Sequence, residues 1–72
     1  MPGYTIFIRG KSNILKTCIK HNIPFIAGEC TYDKKYYEKV REYYLNLSEQ
    51  FKNCEFIEDE SNYRNTCIIR SR

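Results

Sequence analysis

Gly10-Lys11-Ser12 follows directly on the apolar run Ile6-Phe7-Ile8 and Arg9. A strand that runs into Gly-Lys-Ser has the ending of a phosphate-binding loop, whose backbone amides and lysine hold phosphates. Such a loop needs an earlier glycine, so that enough amides wrap the anion. The residue five before Gly10 is Thr5, inside the apolar run. The nucleotide reading therefore fails and a smaller one stands. Ser12 or Asn13 can cap a helix that starts here, and a helix start offers free amides and the positive end of a dipole. Arg9, Lys11 and Ser12, with Lys16 and Lys20 on that helix, form a candidate anion site. Its ligand would be a nucleic-acid phosphate or a partner's carboxylate.

Tyrosine offers a second chemistry. The chain has 7 tyrosines in 72 residues, with adjacent pairs at Tyr36-Tyr37 and Tyr43-Tyr44. A helix cannot bury both members of an adjacent pair equally, so one of each belongs at the rim of the core stripe. Tyr36 and Tyr43, beside Lys35, Lys39 and Arg41, make a candidate surface for a protein partner, where tyrosine and arginine are enriched. The same rings would stack on bases.

The remaining reactive groups do not converge. Cys18, Cys30, Cys54 and Cys67 contain no CxxC pair and no zinc spacing. Cys18 and His21 have ligand spacing on a helix, but a small core thiol beside a surface histidine accounts for them. Glu58-Asp59-Glu60 reads as a solvated acidic run in a loop. His21 is the only histidine, and no Ser/His/Asp or Cys/His set emerges. The expectation is a protein without metal, cofactor or catalytic residues.

These groups need elements to hold them. Residues 4–8 are apolar on both alternating faces, which predicts a strand covered on two sides. A short helix follows, with Ile14, Leu15, Cys18 and Ile19 on one face and Lys16 and Lys20 on the other. Asn22 suits a left-handed terminator, and Pro24 forbids continuation. Residues 23–27 read as a second strand, parallel to the first and ended by Gly28. From Asp33, a cap, to Phe51 the chain predicts the longest helix. Tyr37, Val40, Tyr44, Leu47 and Phe51 form its buried stripe, and Lys34–Glu38 and Glu38–Arg41 can pair on its surface. Residues 54–58 and 65–70 predict an antiparallel hairpin, with Cys67 and Ile69 on one face and Thr66 and Ile68 on the other.

The order β-α-β-α-β-β over residues 1–72 predicts one small α/β domain, with a four-stranded mixed sheet and two helices. A βαβ half joined by a helix to a ββ hairpin resembles a truncated thioredoxin or glutaredoxin layout. That family's CxxC would follow the first strand, where this chain has Gly10-Lys11-Ser12-Asn13, and no proline precedes the third strand. The layout therefore implies the fold without the redox chemistry. The opening Met1-Pro2, a short strand and the Gly-Lys-Ser turn are similar to the tautomerase superfamily, which would imply Pro2 as a base. That likeness spans Met1 to Ser12, and the order of helices then departs from it.

Net charge is +3. The first 32 residues hold four bases against Glu29 alone, a bias toward an acidic partner. No segment approaches the roughly 18 apolar residues of a membrane span, so no membrane partner is expected. The start carries no basic leader followed by a long apolar run, which predicts a cytoplasmic protein. Heavy use of Tyr, Asn, Lys and Ile matches AT-rich genomes, phage and viral ones among them, so a host cytoplasm fits too. The leading expectation is a small non-catalytic regulator or inhibitor that binds a larger protein. The alternatives are a nucleic-acid-binding protein and a thiol- or metal-dependent redox-like protein. Homo-oligomerisation would cover an exposed sheet edge or tyrosine patch.

Overall fold

The computed structural model describes residues 5–59 and 64–72. Elements run β1 (Ile6–Arg9), α1 (Ile14–Lys20), β2 (Phe25–Thr31), α2 (Lys34–Gln50), β3 (Cys54–Asp59) and β4 (Asn65–Ser71). The order β-α-β-α-β-β and the four-stranded mixed sheet are those the sequence predicts. The strands lie in the order β1-β2-β4-β3. β1 is parallel to β2, while β4 is antiparallel to both β2 and β3. The hairpin therefore inserts its second strand at the sheet centre and leaves its first strand at an edge. Tyr4, Pro2 and Glu60 lie outside the described residues.

Each element forms for a local reason. Ser12 caps α1: its Oγ accepts from the Ile14 amide at 3.2 Å, and its carbonyl accepts from the Leu15 amide. Asn13 makes no side-chain cap. α1 stops at Asn22, which sits at φ 56° and is held there by Asn53, whose Nδ2 donates to its Oδ1 and to the Ile19 carbonyl. Asp33 caps α2 by accepting from the Tyr36 amide at 3.1 Å.

Both helices pack on one side of the sheet. Leu15, Cys18 and Ile19 of α1 join Tyr37, Val40, Tyr44 and Leu47 of α2 in a single core. Phe25, Ala27, Cys54, Cys67 and Ile69 meet them from the strands. The predicted face of Cys67 and Ile69 is the buried one. Tyr37 and Tyr44 are the buried members of their pairs, and Tyr36 and Tyr43 stand at the rim.

Several expectations give way. β2 does not end at Gly28 but continues to Thr31, because Gly28 keeps a regular partner in Ile68. β1 is not covered on two sides: Phe7 is 81% exposed, since no helix lies over its face. Ile14 turns outward from the α1 stripe. Glu58 and Asp59 belong to β3 rather than to a loop. Arg41 turns to Glu58 across the helix–sheet seam, where a firmer partner than Glu38 is available.

Candidate functional site

Gly10 is the hinge of the Gly-Lys-Ser turn. It is buried at φ 66°, a conformation that costs other residues about 1–2 kcal/mol. A Cβ there would stand 3.0 Å from Tyr36 Oη and 3.3 Å from Glu29 Oε1. Its carbonyl accepts from the Tyr44 hydroxyl at 2.7 Å, which pins the turn to α2. The glycine thus serves packing, and the turn is a structural joint.

Beneath that joint lies a polar row absent from the sequence reading. Glu29, Cys67 and Glu58 stand side by side on β2, β4 and β3. Glu29 is only 6% exposed; it accepts from the Tyr36 hydroxyl at 3.2 Å, and Arg9 stands 3.9 Å away. Glu58 accepts from the Tyr37 hydroxyl and from Arg41 Nε at 2.6 Å. The Arg41 and Tyr37 bonds hold the Glu58 carboxyl below the usual range. Burial, with the two carboxylates beside it, pushes the Cys67 thiol up to about 11. Burial and the Glu58 bond raise Tyr37, and burial raises Tyr44. A thiol held protonated is a poor nucleophile and a poor metal ligand. Burial also raises Cys54. Among the described residues no group of three His, Cys, Asp or Glu side chains is placed to hold a metal ion.

The structure divides the residues singled out from sequence. Lys11, Ser12 and Tyr43 come together around one shallow depression, with the Tyr43 hydroxyl donating to the Ser12 carbonyl at 3.1 Å. Lys16 and Lys20 are exposed along α1. Arg9 projects from the end of β1 with its side chain 87% exposed. Lys35 and Lys39 share the outer surface of α2 with Glu38 and Glu42, a mixed charged face. Tyr36 and Tyr43 are tied inward by their hydroxyls, and Arg41 is spent on Glu58.

An apolar surface left open by the helices lies elsewhere. With both helices on one side, no helix among the described residues covers the other sheet face. Across it, register places Phe7 beside Ile26, and Ile68 beside Ile57. Gly28, between Arg9 and Ile68 in the next row, leaves a shallow floor lined also by Cys30, Arg64 and Thr66. An apolar diagonal thus crosses the face from β1 to β3. Its corners are charged: Arg9 at one, the Arg70–Glu55 pair at 2.9 Å at another. Arg64, over the Tyr32 ring at 5.4 Å, stands at the far end. The signal was present in residues 4–8, apolar on both faces, but two-sided burial and one open apolar face give the same pattern.

No family model, no curated protein and no solved structure matches this chain. The likeness to a thioredoxin layout stays one of element order. No helix among the described residues is long and apolar enough to cross a membrane.

Proposed function

We propose that this is a small non-catalytic protein, regulatory or inhibitory in kind, that binds a larger protein through its open sheet face. One observation carries the reading: the diagonal Phe7–Ile26–Ile68–Ile57, uncovered by any helix and bounded by charge. An apolar centre with a polar rim is the anatomy of a protein interface. Isolated exposed apolar residues are ordinary, but a contiguous patch with a charged border marks a docking surface. Arg9 and Arg64 at the rim, in a chain of net charge +3, fit a partner with an apolar centre and acidic border. The α2 residues Tyr36, Tyr43, Lys35, Lys39 and Arg41 are the weaker candidates, because three of the five are engaged within the chain. A cytoplasmic site of action, in a host cell if the origin is viral, goes with this reading.

The test is capture of a stoichiometric partner from cell extract by the wild-type protein and by face variants. Ile57→Lys and Ile68→Lys should abolish capture, while Lys39→Glu on α2 should leave it intact. Absence of any stoichiometric partner at moderate salt overturns the reading. So does a partner indifferent to both isoleucine variants.

A second reading, nucleic-acid binding, draws on the Arg64–Tyr32 stack, with Arg64 and Arg9 lining one shallow depression of the open face. Aromatic rings beside arginine on an open sheet suit unpaired bases. Lys11, Ser12, Lys16 and Lys20 would add phosphate contacts from the helix side. It requires affinity for single-stranded DNA or RNA that falls steeply with salt. A band-shift at low salt with no complex removes it.

A further inference from the structure

The two edges of the sheet are built differently, and the difference points to a second copy of this chain. Ile6 donates its amide to the Pro24 carbonyl at 3.0 Å, and Gly10 donates to Gly28 at 3.1 Å. In a parallel ladder alternate residues serve the neighbouring strand. Ile6, Ile8 and Gly10 therefore turn their backbone groups toward β2. Phe7 and Arg9 turn theirs outward, along an edge that no other strand among the described residues joins.

The opposite edge, β3, is guarded. The Arg72 amide bonds the Asn53 carbonyl, so Cys54, Phe56 and Glu58 carry the outward groups there. The Arg72 guanidinium covers the Cys54 carbonyl at 3.2 Å, and Arg41 lies over the Phe56 ring. Glu55, Glu58 and Asp59 place three carboxylates on that strand. Charges and covers of this kind stop strand addition. Among the described residues β1 has none of them before Arg9. Ile6, 39% exposed, and Phe7 stand on its two faces at the rim.

We propose that β1 pairs with β1 of a second copy, antiparallel about a two-fold axis, joining two sheets into one of eight strands. Chemistry selects the register. A two-fold axis at Phe7 lets the two Phe7 residues exchange both backbone hydrogen bonds. It sets the two rings side by side on the open face, and each Ile6 against the partner's Ile8 on the helix side. Arg9 then faces Thr5 of the other copy. An axis at Arg9 would oppose like charges directly, which is destabilising. The axis at Phe7 avoids this and covers the apolar rim on both faces. One strand per copy buries less than the roughly 800 Å² per partner of a standard interface, so monomer and dimer exchange with concentration.

This pairing stands apart from the partner on the open face, because it rests on the backbone of β1 rather than on Ile57 and Ile68. Two measurements test it. Sedimentation over about a hundredfold range of concentration should show a reversible dimer, with the Phe7 amide exchanging at least about tenfold more slowly at the high end. Phe7→Lys, a change at an exposed position, should leave a folded monomer, while Ile57→Lys should still dimerise. A Phe7 amide whose exchange ignores concentration overturns the proposal. So does a dimer that survives Phe7→Lys and is lost with Ile57→Lys, which would be face-to-face packing instead.

Discussion

The two faces of this sheet share strands, register and backbone, yet they have opposite fates. On the helix side, Phe25, Ala27, Cys67 and Ile69 are sealed beneath Leu15, Val40, Tyr44 and Leu47. On the other side, Phe7, Ile26, Ile57 and Ile68 are as apolar, and no helix among the described residues covers them; Phe7 and Ile57 are exposed and Ile26 and Ile68 half-buried. Hydrophobicity alone therefore does not say which surface is core. The helices decide, by bringing two stripes to one face, and they leave the second apolar face for another molecule.

Substitution should separate the faces sharply. Leu15→Ala empties a fully buried site and should cost about 2–5 kcal/mol of unfolding free energy in a denaturant titration. A loss under about 1 kcal/mol would mean that the helix layer is not tightly packed.

At the polar end of the core, Glu58→Ala leaves the Tyr37 hydroxyl and Arg41 without their acceptor and should cost about 1–3 kcal/mol. The same group sets an acid limit. Its folded pKa lies below the ordinary value, so its contribution is present above about pH 4.3 and is lost as pH falls through the folded value. The alkaline limit has the opposite sign. Cys67, raised to about 11, and the raised Tyr37 and Tyr44 favour the protonated forms in the fold. Their stabilisation is complete below the ordinary thiol and phenol values and disappears as pH rises through the folded ones. Thermal melts across pH should show both limits; Glu58→Ala should flatten the acid one and also weaken the alkaline one, because the Glu58 carboxylate helps raise Tyr37 and Cys67.

Gly10→Ala forces a side chain into the left-handed region and against Tyr36, for about 1–2 kcal/mol. Equilibrium unfolding that matches wild type would show that the joint can relax. Smallest of all should be Ile57→Ser on the open face, within about 0.5 kcal/mol of wild type. A loss comparable to Leu15→Ala would erase the contrast between the faces and show that Ile57 is already covered.

Much of the fold was legible. The helical period of Leu15, Cys18 and Ile19, and of Tyr37, Val40, Tyr44 and Leu47, marks the faces that are buried. Asp33 and Asn22 carry local chemistry that places a helix start and a helix stop. The site was much less legible. Glu29 looked like one acid among bases, because nothing local says that Tyr36 will meet its carboxylate across the helix–sheet seam. Arg41 had Glu38 three residues away and Glu42 beside it on its own helix, and a sequence offers no sign that Glu58 is nearer. Gly28 resembled a strand end, since a glycine that merely opens a shallow floor leaves the same letter.

Taken alone, the amino-acid sequence determined the elements, their order, their caps and the helical stripes. Those follow from interactions a few residues long: side-chain period, hydrogen bonds to nearby amides, and the φ that Gly and Asn tolerate. The tertiary structure alone decided the strand order β1-β2-β4-β3, the uncovered face and the unguarded β1 edge. It also decided the row Glu29–Cys67–Glu58. These depend on which distant strands become neighbours and on which side both helices land. That outcome is set by the summed burial of the whole chain rather than by any one segment.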